Sequence, residues 1–333
     1  MNVTQPASAR AAVHPTGTQF AISGGGYHAV VTEVGAGLRS LEAEPGTGPL
    51  PTEAGPCESG RYPLIWSYPA EEPIHAGAGQ LLMPWPNRVA DGRYEFDGTP
   101  QQLDLSEPAR RNAIHGLTRW LPWRTTGHSA DFVSLAVTLH PHPGYPHTLE
   151  LTATYSVSDD GLTVEVGAAN RGSDPAPYGV AAHPYLTPGV LPAAGAADGW
   201  SLHLPAGQRV AVDDRLLPVG LVDVDGTGFD FRSPRSLAGA QLDTAFGGLQ
   251  RELDGIGRIR LTGPGGGAVT VWMDRGLDWI QIFTADPLPG DWNRAAVAVE
   301  PMSCPPDAFN SGTDLIRLEP GADCVHRWGI HAG

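Results

Sequence analysis

The 333-residue sequence contains no lysine: all 21 of its basic residues are arginine. That absence excludes a lysine Schiff base, a pyridoxal phosphate anchor and the lysine of a phosphate-binding P-loop. Acidic residues number 36, so the formal charge is −15, and no basic stripe exists to follow a nucleic-acid backbone. Cysteine is scarce as well. Cys57, Cys304 and Cys324 are widely spaced and odd in number, which fits a reducing cytoplasm better than a disulfide framework. No apolar run approaches a membrane span, and the opening MNVTQPASARAAVHPTG lacks the apolar centre of a secretory signal peptide. A cytoplasmic protein is expected, with neither membrane nor nucleic acid as partner; its oligomeric state is left open. Residues 1–16 read as a frayed tail.

Long apolar stripes at helical spacing are also missing. In their place are 43 glycines and 32 prolines spread along the whole chain, with short alternating runs between them. In TLELTATYSVSDDGLTVEVGAANRG, Leu149, Leu151, Ala153, Tyr155 and Val157 alternate with polar residues. Leu162, Val164, Val166 and Ala168 resume the alternation after Asp159-Asp160-Gly161, which describes a hairpin with one buried face. YHAVVTEVGAGLRSLE, DFVSLAVTLH, AVTVWMD and WIQIFTA carry the same period of two, and GPGGGA (263–268) reads as a hairpin turn. QRVAVDDRLLPVG offers at most a short turn of helix. No linker tract divides the chain, so one all-β domain, a large antiparallel sandwich over residues 17–333, is expected.

Two stretches share an unusual device. In GVAAHPYLTPG an alanine run leads to His183 and a proline; in VAVEPMSCPPDAFNSG the same arrangement presents Glu300. Proline holds the preceding residue out of the helical region and cannot donate to a ladder, so both groups are expected on extended backbone near strand ends. Alternation puts Val297 and Val299 on one face and Ala296, Ala298 and Glu300 on the other. It likewise separates Tyr178, Val180 and Ala182 from Gly179, Ala181 and His183. Each ionisable group thus shares its face with small residues, which leaves room for a ligand groove. On this pattern alone, a hydrogen-bonded polar group at a strand end is an equal reading.

Three further segments join these two: QLLMPWPNRVADGRYEFDG with Asn87 and Arg88, NAIHGLTRWLPW with Asn-x-x-His-Gly at 112–116, and QLDTAFGGL with Asp243. The five in this order resemble the aldose 1-epimerase (galactose mutarotase) family. The resemblance implies a galactose mutarotase-like supersandwich with a sugar groove on one sheet, and interconversion of the α and β anomers of free hexoses without a cofactor or a metal. It implies Glu300 as general base and His183 as general acid, with Arg88, His115 and Asp243 holding the sugar's oxygens and Asn87 beside them. Trp279 in DWIQIFT is a candidate platform for a pyranose face, with core packing its competing role. For His183 to donate a proton, its pKa must lie near or above neutrality, and neighbouring carboxylates are expected to supply that.

Taken singly these residues have plainer readings. Arg88 could pair structurally with one of the 36 acids, His115 could be a turn residue, and Asp243 could cap a loop. His140, His142 and His147 in HPHPGYPH invite a metal, but the proline-rich octapeptide reads as a solvated turn. Arg93, Arg110, Arg111 and Arg119 near the groove motifs keep a hexose 6-phosphate epimerase open as an alternative. A non-catalytic sugar-binding protein of the same fold is another, and a glycosidase using Asp243 and Glu300 a third.

Overall fold

The computed structural model describes residues 13–51 and 59–333. Residues 1–12 of the expected tail, and Cys57, lie outside these. Thr16 is buried, and its carbonyl accepts the Val34 N–H at 3.0 Å.

The fold is a sandwich of two antiparallel sheets, with a smaller four-stranded sheet and three two-stranded ladders among the described residues. The nine-stranded sheet runs from Arg124–His128 through Phe132–Leu139, Leu149–Ser158, Gly161–Asn170, Asp323–Ala332, Ala268–Met273, Gly257–Thr262 and Ser201–His203 to Arg235–Ser236. The eight-stranded sheet runs from Pro218–Asp223 through Ala206–Val212, Asp243–Leu249, Trp279–Phe283 and Val297–Met302 to Ala181–Ala182 and Leu81–Leu82. Tyr185–Leu186 is a second short partner of Val297–Met302. Gln19–Gly24, Tyr27–Thr32, Leu38–Ala43 and Tyr62–Pro63 form the smaller sheet. The helical content among the described residues is a single α turn, Ala308–Ser311, and a few 3₁₀ turns. None of it is long or apolar enough to cross a membrane.

The hairpin expected around Asp159-Asp160-Gly161 is present in full register, Leu149 opposite Asn170 and Ser158 opposite Gly161. GPGGGA joins two paired strands as expected. QRVAVDDRLLPVG differs from its reading as a helical turn: it spans the end of one strand and the start of its partner, Ala206–Val212 and Pro218–Asp223. The Asp213 carboxylate accepts the N–H groups of Arg215 and Leu217 at 2.8 and 3.0 Å, which closes the turn between them.

Alternation sorts the central strands as the sequence requires. Val297, Val299, Tyr178, Val180 and Ala182 join Tyr155, Val164, Val271 and Ile330 of the larger sheet in the main core. Burying each valine stabilises the sandwich by about 1.5–3 kcal/mol. Ala296 and Ala298, and Ala181, face the other way.

The expected strand ends hold for His183, which follows the two-residue strand Ala181–Ala182, but not for Glu300. Glu300 and Pro301 lie inside Val297–Met302, paired with Gln281 and Ile280. Proline is tolerated there because the neighbouring strand is broken. On that edge Val299 N–H donates to Pro184 O at 3.1 Å and Ser303 N–H to Val180 O at 2.9 Å. Pro301 sits between them, where the His183-Pro184 break lies and no N–H is offered.

Candidate active site

The face of the eight-stranded sheet turned away from the main core carries a cleft of about 390 Å³. Glu300 reaches it from its strand centre and His183 from the break alongside, and both are buried, at 2% and 5% exposure. His183 Nε2 and Glu300 Oε1 stand 3.4 Å apart. Glu300 Oε2 and His183 Nδ1 are buried without a hydrogen-bond partner. The His183 ring lies in a tight slot. It stacks on Tyr185 at 5.0 Å, and Gly77 lies tight against it: an added Cβ would stand 3.1 Å from His183 Cδ2. Tyr185 is fixed in turn by its hydroxyl, which donates to Ala76 O at 3.1 Å.

The other expected residues arrive from three directions. Asn87 and His115 both adopt left-handed backbone (φ 50° and 64°), and His115 N–H donates to Asn87 O at 2.9 Å. Gly116 continues the turn at φ 68°; a Cβ there would fall 2.0 Å from Met83 O, which is the physical reason for the His-Gly pair. The turn aims His115 edge-on at His183, ring centroids 5.5 Å apart. Asp243 opens the Asp243–Leu249 strand and accepts a hydrogen bond from Gln281 Nε2 at 2.6 Å. Arg88 lines the cleft but is also ion-paired: its Nε and Nη2 donate to the two Glu107 oxygens at 2.9 and 3.0 Å. Its backbone N–H donates to Asn87 Oδ1 at 3.0 Å. Arg88 therefore both lines the cleft and has a structural ion-pair partner.

Trp279 departs from its expected role as a sugar platform. It shares a strand face with Gln281 and Phe283, yet lies beyond the cleft, where its ring packs with Ala181, Val210, Ala245 and Met302. Its Nε1–H donates to Asp314 at 2.8 Å. The apolar wall is built instead by Ile74, Phe283 and Leu288, with Trp120 exposed at the rim.

Burial dominates the electrostatics. It pushes the His183 imidazole down to about 3, with the Arg119 charge acting in the same direction, so the expected elevation by neighbouring carboxylates does not occur. His115 is also held well below the ordinary histidine value, by burial first and then by His183, Arg119 and Arg88. Glu300 is held well above the carboxylate range by burial and by Asp243, with Arg88 opposing. Asp243 is raised by burial, against the pull of Arg88 and Gln281. The pair accordingly favours a proton on Glu300 and a neutral His183.

Gln281, Glu107 and Gln80 were not singled out by sequence. For Gln281 a signal was present, since it is the one polar side chain in WIQIF. Glu107 and Gln80 act on Arg88 and Arg119 across 19 and 39 residues, with no local pattern to mark them. Of the other arginines near the motifs, Arg93 bonds Gln102, Arg110 pairs with Glu107 and Arg111 with Asp91. The histidine loop holds no metal cluster among the described residues: His142 is turned onto Pro143 O and His147 packs edge-on to Phe96 and Tyr145. A larger hollow of about 770 Å³ lies against the nine-stranded sheet, with Asp160, Arg258 and His331 in its lining.

This architecture is the galactose mutarotase-like fold. A crystal structure of a GalM/aldose epimerase homologue from C. elegans superposes with a TM-score of 0.80 at 20% identity, over 95% of this chain and 98% of that one. The family model for aldose 1-epimerase matches residues 19–331, and the chain belongs to that family. It is 35% identical over 310 residues to the uncharacterized protein YihR of Escherichia coli K12, 93% of this chain and 91% of the relative. It is 27% identical over 172 residues to the aldose 1-epimerase of the same organism, 48% of this chain and 46% of that one.

Proposed function

We propose that the chain interconverts the α and β anomers of a hexose, with Glu300 and His183 as the acid–base pair and Arg88, Asn87, His115 and Asp243 holding the sugar. The observation that carries this reading is the buried pair itself: one carboxyl and one imidazole 3.4 Å apart, each with an unpartnered atom, at the floor of a cleft. Binding alone does not require a buried pair able to trade a proton.

The anomeric oxygen O1 and the ring oxygen O5 are bonded to the same carbon, so two groups standing side by side reach one each. Glu300 takes the O1 proton while His183 gives its proton to O5, the C1–O5 bond breaks, and an open-chain aldehyde results. Rotation about C1–C2 presents the other aldehyde face. Glu300 then returns its proton to O1 as His183 removes one from O5, and the ring closes as the opposite anomer. The pair carries one proton throughout, and no electrons or phosphoryl groups move. Opening converts the charged pair into protonated Glu300 and neutral His183. This is the state that burial favours, so the cleft stabilises the protonation state accompanying the open-chain sugar. General acid and base groups of this kind contribute about 10²–10⁴-fold each in rate.

Polarimetry of freshly dissolved α-glucose, α-galactose and glucose 6-phosphate tests the reading. Faster decay to the equilibrium rotation with the protein is expected for at least one of them. Decay at the buffer rate for every sugar overturns it.

A further inference from the structure

Arg119, half-buried in the cleft, is held far less fully than Arg294 or Arg251. Arg294, for comparison, donates to Asp198 and Asp286 and to the carbonyls of Leu237 and Ala240. Arg251 donates to Asp278 and to three carbonyls. The Arg119 guanidinium has one partner, Gln80 Oε1, at 3.4 Å from Nη1. Its Nε is buried without a partner, and among the described residues no carboxylate stands within ion-pair distance. A half-buried positive charge so poorly matched by its own protein is costly unless something else completes it. Arg119 lines the cleft, beside Trp120, whose ring centroid lies 5.7 Å from its Cζ.

Its place relative to the sugar follows from Gln80. The Gln80 carbonyl accepts the His183 N–H at 3.0 Å, while its side chain brackets Arg119, Nε2 donating to Arg119 O at 3.0 Å. Arg119 therefore stands on the His183 side of the pair. Resting on the anomerase reading above, in which His183 serves O5, this is the side of C5, the carbon bonded to O5 that carries C6.

We propose that Arg119 forms a subsite for a negatively charged group at the C6 end of the sugar, so that the preferred substrate is an anionic rather than a neutral hexose. A guanidinium presents two parallel N–H donors to a carboxylate or phosphate, and Nε with one terminal nitrogen is the edge without a partner here. The anion is also tied to the chemistry. The Arg119 charge acts with burial to keep His183 neutral; an anion on Arg119 offsets that charge and favours the imidazolium that donates to O5. Arg88 cannot take this role, because Glu107 occupies its fork.

The test compares glucose, glucuronate and glucose 6-phosphate as substrates of the wild-type chain and of Arg119→Gln and Arg119→Lys, each corrected for the uncatalysed rate. Wild-type kcat/KM is expected to be at least about tenfold higher for one of the anions than for glucose, as a charge-assisted contact provides. Arg119→Gln should lower that anion-to-neutral ratio by about tenfold or more, and Arg119→Lys should restore part of it. Whichever anion is faster identifies carboxylate or phosphate as the group held. Glucose turned over as fast as both anions, or a ratio unchanged in Arg119→Gln, overturns the subsite and leaves the anomerase reading standing. Should no sugar be turned over, the anomerase reading fails and calorimetric titration with glucuronate and glucose judges the subsite. Tighter glucuronate binding lost in Arg119→Gln supports it, and equal binding of the two sugars overturns it.

Discussion

His183 is the residue on which the site depends most narrowly. Its ring is clamped by Tyr185 and Gly77 and its Nε2 faces Glu300. Replacing it with asparagine keeps a small polar side chain but removes the group proposed to exchange a proton with O5. His183→Asn is expected to lower anomerisation by at least about a hundredfold, read by polarimetry on protein whose circular dichroism is unchanged; a near-wild-type rate contradicts its role. Outside the cleft, His326 is buried with both ring nitrogens unpartnered, and burial holds its pKa below the ordinary value. The sign follows from linkage. Above about pH 6.5 the ring is neutral in both folded and unfolded chains; as pH falls below that, the unfolded chain takes up the proton first and stability is lost. His115 and His183 act in the same direction, His183 down to about pH 3, while the raised carboxyls of Glu300 and Asp243 act oppositely. His326→Leu removes one contributor. Between pH 7 and pH 5 its urea stability should fall less steeply than wild type, by up to about 1.4 kcal/mol per pH unit; equal slopes contradict the account.

At the scale of elements, the break at His183-Pro184 and the segment Ile74–Gly79 packed beside it shape the floor of the cleft. Gly79 N–H donates to His183 O at 2.9 Å, and Gly77 at φ 77° lies against the imidazole. Gly77→Ala strains the backbone and pushes the ring. A stability loss of about 1 kcal/mol and a fall in kcat of about tenfold or more are expected, from thermal unfolding and polarimetry; an unchanged kcat contradicts the clamp. Much of this level was legible in sequence. A period of two is local, so the faces of Val297–Met302 and of the stretch before His183 could be assigned from side-chain type. Whether a proline ends a strand is not local. Pro301 sits in a strand interior because its neighbour is interrupted there, a fact about another segment. Trp279 and Phe283 share a strand face, and only the position of the cleft along that face decides which of them lines it. The pKa of His183 fails for a related reason: nearby carboxylates can be counted in a sequence, but desolvation depends on everything packed around the ring.

For the whole molecule, the eight-stranded sheet has two duties, one on each face. One face closes a core against the nine-stranded sheet, large enough in a chain of this length to hold the strands rigid. The other carries an uncomfortable buried pair whose desolvation the core outweighs. This division of faces is what the proposed anomerisation by two side chains requires, and it centres on Glu300. Glu300→Gln tests it most directly, because glutamine fills the same space beside Ala298 and keeps an oxygen, but cannot take up a proton as a carboxylate does. Calorimetric titration and polarimetry on one sample, with a sugar the wild type turns over, measure binding and rate together. The account predicts affinity within about tenfold of wild type and a rate lower by about 10²–10⁴-fold. Binding and rate falling together by the same small factor, or a rate left unchanged, would contradict it.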